Sequence, residues 1–328
     1  ISAYRFFGSE FAMILENANN KETKELSSYL KTKFEELGKS INHEYVANIG
    51  ATPFNPIGTT PEMISACSEA FEMAKQIGPN EAYIRDENDL ARDMLVWKDL
   101  IFDIIDNAKF SVGYIGNANI LNGKNEGQLV MQEAFTQAKD NNDKQIPIGT
   151  FVSIAEKYEK ILDFDKAVVN KVLKHIKSNN IKHNISINLS LDSISDNEFI
   201  SWLKTIIHNN SDISSQLVFS ITAYGVAKDI EKFKIFSHAV HEAGAKIIIK
   251  RFESKFVPLE SIKDLNIDYI RLARNYTNNI FKDNGKQAFV DSMQELSNLL
   301  NIKLFAENVK EEEDFNFVKK ANLYGASR

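Results

Sequence analysis

The stretch 216–252, QLVFSITAYGVAKDIEKFKIFSHAVHEAGAKIIIKRF, places strand-like apolar runs at 216–222 and 246–252 around an amphipathic segment at 228–242. Val, Phe and Ile crowd the two outer runs, as buried strands require, and the segment between them switches to a helical period. A strand, a helix and a second strand in this order predict a parallel pair joined by a helical crossover.

Outward from this unit the alternation continues. Further strands are predicted at 110–115, 129–135, 184–189, 268–272 and 302–306, and helices near 165–178, 195–208, 286–299 and 310–320. Roughly 220 residues with that many βα units suit a closed (β/α) barrel better than an open sheet. The expected fold class is therefore α/β, with a TIM-type barrel over 109–328. Residues 1–86 read as a separate, smaller α/β domain. Ala3–Phe7 and Phe11–Leu15 flank a tight polar turn, Gly8-Ser9-Glu10, as in a hairpin. Helices follow at 21–38 and 61–78, with a strand near 45–49, and Gly78-Pro79 is a stop signal. Between the two domains, over 87–108, Leu90, Met94, Trp97, Ile101 and Ile104 step by four and three along one helix face. Two readings stand: a helix joining two domains, or a packed helix of the second.

The chain has 328 residues, and one core rarely outgrows about 300, which agrees with two domains. Its 43% hydrophobic and 26% charged residues are ordinary for a soluble globular protein. A net charge of −6 gives no footprint for nucleic acid. Cys67 stands alone, so no internal disulfide forms, which suits a reducing compartment. No signal peptide is visible. The richest apolar run, 94–110, is broken by Lys98, Asp99, Asp103, Asp106 and Lys109, so no membrane contact is expected from these residues. The expected location is the cytoplasm, including as the cytoplasmic part of an anchored protein, and an upstream sensor stays open.

Two sets of residues carry a family resemblance. Ala3-Tyr4-Arg5-Phe6-Phe7-Gly8-Ser9-Glu10-Phe11 resembles the strand–turn–strand of diguanylate cyclases, whose turn reads Gly-Gly-Asp-Glu-Phe, and Ala70, Ala74-Lys75, Gly78 and Asn80 resemble the later part of that domain. Further along, Glu133-Ala134-Phe135 stands where EAL phosphodiesterases have Glu-Ala-Leu. Ile146-Pro147, Phe151, Ala155-Glu156, Asp165, Ile187-Asn188-Leu189-Ser190, Phe252, Tyr269-Ile270 and Ala306-Glu307 follow in the family's order. The chain thus resembles GGDEF–EAL proteins of cyclic-di-GMP signalling. The layout of a degraded cyclase turn, a joining helix and a degraded barrel is similar to the LapD type of receptor.

The resemblance implies where chemistry is lost. In the cyclase turn the first glycine is Phe7 and the aspartate is Ser9, with Gly8 and Glu10 kept. A benzyl group blocks the nucleotide, and serine lacks the charge that a hard cation needs. In active EAL enzymes two divalent cations activate a water for attack on a phosphodiester. Glu133, Asn188 and Glu307 match the family's ligands, but Ser220 replaces a glutamate, Lys250 and Arg251 replace an aspartate pair, and Arg271 replaces a lysine. Like charges about 4 Å apart repel by about 4 kcal/mol even at an effective dielectric near 20, so two metals are not expected to bind. Gln137 stands where the family carries a phosphate-contacting arginine.

Two uses of the altered pocket stay open. Lys250, Arg251 and Arg271 take over the metals' role and grip the phosphates of cyclic-di-GMP, or Lys250 and Arg251 pair internally with Glu133 and Glu307. The expected function is a catalytically inactive receptor or signal relay. The alternative is a nucleotide-independent scaffold. The expected partners are cyclic-di-GMP and another protein, with a homodimer as a reasonable assembly, and no cofactor or metal is expected. His238, His241 and Glu242 read as a solvated helix face rather than a metal site, and Cys67 as a buried structural thiol.

Overall fold

The computed structural model describes residues 1–7, 10–43, 45–54, 60–85, 87–141 and 143–328, with the backbone alone at 6, 7, 60–62 and 87–94. Its contacts divide the chain into two compact units, Ile1–Ile101 with Gly149–Ile154, and Phe102–Ile148 with Ala155–Arg328.

In the first unit β1 (Ser2–Phe7) and β2 (Glu10–Ile14) form the expected antiparallel hairpin, with Arg5 opposite Phe11. Gly8 and Ser9 of its turn, and the side chain of Phe7, lie outside the described residues. Glu10 is exposed. Helix α1 (Asn20–Ile41) begins at a capping box, in which Asn19 accepts from the Glu22 N–H and Glu22 accepts from the Asn19 N–H. The strand expected near 45–49 lies at β3 (Ile49–Ala51) and pairs in parallel, across α2 (Thr60–Ile77), with an unforeseen strand β4 (Ala82–Ile84). Helix α2 lies so close to β3 that a Cβ on Gly50 would stand 2.1 Å from the Phe71 nitrogen. Cys67 is on the exposed side of α2, contrary to the expected burial, with its thiol 3.5 Å from the Gly50 carbonyl.

Helix α3 (Glu87–Asp106) covers the predicted helical stretch. Of its apolar positions Ile101 and Ile104 are buried, and the side chains of Leu90 and Met94 lie outside those described. Among the described residues no helix is long and apolar enough to cross a membrane.

The barrel starts with β5 (Phe110–Ile120), β6 (Leu129–Lys139) and a two-residue strand, β7 (Gln145–Ile146), that pairs with the end of β6. Helices α4 (Ile148–Lys157) and α5 (Ile161–Ser178) lead to β8 (Asn184–Asn188). Then come α6 (Leu191–Ser195), α7 (Asn197–His208), β9 (Leu217–Thr222), α8 (Ala223–Lys228), α9 (Ile230–Glu242) and β10 (Lys246–Phe252). The chain ends through β11 (Tyr269–Leu272), α10 (Arg274–Thr277), α11 (Asn284–Leu300), β12 (Lys303–Ala306), α12 (Glu312–Lys320) and β13 (Gly325–Ser327). Strands β6, β8, β9, β10, β11, β12 and β13 run parallel in that spatial order. Strand β5 pairs antiparallel with both β6 and β13 and closes the ring. The barrel is the expected one, apart from this reversed strand and from β13, which was not among the predicted strands.

Ala118, Met131, Val218, Ile248, Tyr269 and Phe305 meet inside the barrel as a buried layer. Side chains alternate between the two faces of a strand, so the next inward layer lies two residues further along each one.

Candidate functional site

Counting two residues on from that apolar layer brings Glu133 on β6, Ser220 on β9, Lys250 on β10, Arg271 on β11 and Glu307 just beyond β12. Asn188 joins them at the end of β8, in register with Ser220. Strand period and parallel direction alone therefore assemble the site at the carboxyl-terminal mouth of the barrel, where β/α barrels place their chemistry.

Glu133 is the centre. Its Oε1 accepts from Asn188 Nδ2 at 2.8 Å and from Lys250 Nζ at 3.4 Å. Its Oε2 accepts from Arg271 Nη1 at 2.9 Å. Lys250 Nζ also donates to Asn188 Oδ1, and Arg271 Nη2 lies 3.7 Å from Met131 Sδ in the layer below. These pairs are largely buried: the side chains of Glu133, Lys250 and Arg271 are 19%, 16% and 6% exposed. Burial works to raise the Glu133 pKa, but the charges on Lys250 and Arg271, with the Asn188 and Lys250 hydrogen bonds, hold it below the usual glutamate value. Burial pulls the Lys250 ammonium below its usual range against the attraction of Glu133, and Arg251 and Arg271 add to the pull.

Glu307 is held differently. Its carboxylate accepts from Arg274 Nη2 at 2.9 Å, and the Arg274 side chain is 59% exposed. Of the internal pairing open from sequence, Lys250 on Glu133 occurs, while the arginine partners differ. Arg271 rather than Arg251 joins Lys250 on Glu133, and Arg274, three residues after Arg271 on α10, takes Glu307. Nothing in the sequence distinguishes Arg274 from other exposed arginines.

Arg251 occupies an irregularity between Ile249 and Phe252 in the β10–β11 ladder, with left-handed backbone (φ 51°) and an exposed side chain. That turn carries it out of the strand alternation that aims Lys250 inward. Gln137 is exposed on the extension of β6, opposite Ser111. Ser220 is buried.

Behind Asn188, Asp165 on α5 accepts from the Ser190 N–H at 2.9 Å and so anchors the turn that follows β8. Burial pushes its pKa up to about 6, against the Ser190 hydrogen bond. His241, expected on a solvated face, instead lies half-buried with Nε2 2.9 Å from Asp268, a hydrogen bond that raises its pKa. His238 is exposed and pairs with Glu242.

Residues 121–325, well over half of the chain, match the EAL domain family. The chain belongs to that family. Among curated proteins it is similar to the cyclic di-GMP phosphodiesterase PdeA of Borreliella burgdorferi, 26% identical over 184 residues, which cover 55% of this chain and 28% of PdeA. It is also similar to the RNase E specificity factor CsrD of Escherichia coli, 18% identical over 329 residues, covering 98% of this chain and 49% of CsrD. This EAL chain thus spans no more than about half the length of these curated relatives. The solved Vibrio cholerae LapD S helix-GGDEF-EAL structure bound to c-di-GMP shares the fold, with a TM-score of 0.65 at 20% identity over 99% of this chain and 77% of that one.

The side chains at this mouth do not make a donor set for a pair of divalent cations. Both oxygens of Glu133 already face cations, and Lys250 stands 3.4 Å from the carboxylate that a metal would need. Among the described residues no group of three or more His, Cys, Asp or Glu side chains is placed to hold a metal ion. What this mouth presents is fixed organic cations, Lys250 and Arg271, paired with a carboxylate.

Proposed function

We propose that this chain is a catalytically inactive EAL module that binds cyclic-di-GMP without metal ions and relays the binding to a protein partner. The observation that carries the reading is the place of Lys250 and Arg271, both aimed at Glu133 in the layer where the family's metal ligands would stand. Hydrolysis of a phosphodiester at a two-metal site depends on cations that activate the attacking water and neutralise the leaving oxygen. Lys250 and Arg271 can neutralise a phosphate, but neither lowers the pKa of a bound water as a metal does. Arginine suits bidentate contact with phosphate oxygens, so what remains is recognition without turnover. LapD, the structural neighbour solved with c-di-GMP bound, supports the ligand class by fold alone.

A nucleotide-independent scaffold is the second reading. Gln137 favours it, since it supplies no charge where the resemblance implies an arginine, and so does the internal pairing of the buried cations. Calorimetric titration of cyclic-di-GMP, with and without Mg²⁺, separates the two, alongside an assay for the linear dinucleotide. A receptor gives the same affinity in both titrations and no product. Product that disappears with EDTA would overturn the inactive reading. Absence of heat at high micromolar ligand would leave the scaffold.

A further inference from the structure

The two buried cations of the mouth converge on one group, the Glu133 carboxylate, and that group resembles the ligand they would otherwise hold. A carboxylate and a phosphodiester each carry a single negative charge and present two accepting oxygens. Here one oxygen faces Lys250 and Asn188 and the other faces Arg271. We propose that Glu133 acts as an internal stand-in for a ligand phosphodiester, keeping Lys250 and Arg271 occupied and so setting the affinity of the mouth for anions. The inference rests on the receptor reading above and assigns its main regulator.

The charges at the mouth agree with this. Lys250, Arg271 and Arg274 pair with two carboxylates, Glu133 and Glu307, which leaves one positive charge among them. The flanking pair of Lys255 and Glu253, 2.7 Å apart, adds none. Arg274 is exposed and meets an incoming anion first. Lys250 and Arg271 become available only when Glu133 gives them up, because a buried cation exchanges one anion for another rather than standing unpaired.

The sign of the expected effect is unusual. Where the glutamate holds a metal that grips the ligand, removing its charge weakens binding. Here removing it frees two cations and strengthens binding. Cyclic-di-GMP affinity is measured by calorimetry in EDTA for the full chain, for Glu133→Gln and for Glu307→Gln. Glu307→Gln makes the same change of net charge at the same mouth but frees only an exposed arginine. The expected result is at least about tenfold tighter binding for Glu133→Gln and less than about twofold for Glu307→Gln.

Equal gains in the two variants would mean bulk charge and overturn the proposal. If the wild type binds and Glu133→Gln binds equally or less tightly, the proposal fails while the receptor reading stands. If neither chain binds, both fall. Should Glu133→Gln fail to fold, Glu133→Asp withdraws the carboxylate by one methylene without changing its charge, and a smaller gain of the same sign is the result that upholds the proposal. An unchanged or weaker affinity overturns it.

Discussion

Glu133 and Glu307 stand at corresponding levels of the same barrel, each two residues beyond the apolar layer and each 19% exposed. Their surroundings differ. Glu133 is gripped from three strands by an amide, an ammonium and a guanidinium, and the guanidinium is 6% exposed. Glu307 is held by one arginine that is 59% exposed. Water screens the second pair and competes for it, so such contacts are worth little, whereas a partner lost from the first leaves a charge without solvent. Exposure of the partner, more than of the carboxylate, decides which pair matters. Asp165 adds a third case, a carboxylate buried against a backbone N–H, where burial outweighs its hydrogen bond.

The largest expected effect comes from breaking the buried side. Arg271→Met should lower stability by about 3–5 kcal/mol, the usual result of removing one partner of a buried ion pair. Denaturant unfolding measures it, and a loss below about 1 kcal/mol would erase the distinction between the two carboxylates. An intermediate effect is expected at Asp165. Its folded pKa, about 6, lies above the unfolded value near 3.9. The folded state therefore holds the proton more tightly, so this group stabilises fully below about pH 4, and that contribution declines as pH rises through about 6. Asp165→Asn, which still accepts from Ser190, should raise the melting temperature at pH 7 by a few degrees (about 2–4 °C per kcal/mol for a domain of this size) and leave it unchanged at pH 4. A gain at both pH values would mean that titration of Asp165 is not the cause. The smallest effect is Arg274→Ala, expected to cost under about 1 kcal/mol by the same unfolding measurement. A cost equal to that of Arg271→Met would make the mouth one cooperative cluster rather than a buried and an exposed half.

Much of this was legible in the sequence. The βα alternation predicted the barrel, and Glu133, Asn188, Lys250 and Arg271 emerge together in one cluster because their positions on successive strands keep the same inward parity. Arg251 shows where parity stops helping. A left-handed residue interrupts the strand, and local sequence does not announce that turn at an arginine. Strand β13 was missed because Gly325, Ala326 and Ser327 carry no β-forming side chains, and its pairing with β12 and β5 makes it a strand. The direction of β5 was equally hidden, since a period of two is the same in parallel and antiparallel strands.

Local sequence was enough for most of the element types, for the inward parity of the regular strands and for the inventory of charges, because propensity and period act over a few residues. The tertiary structure alone decided the pairs: Arg271 with Glu133, Arg274 with Glu307, Asp165 under Ser190, and β5 closing the ring. Such choices depend on distances of a few ångströms between residues far apart in the chain, 138 positions for Arg271 and Glu133, and on which of them lose their water. Neither quantity is carried by neighbours along the chain.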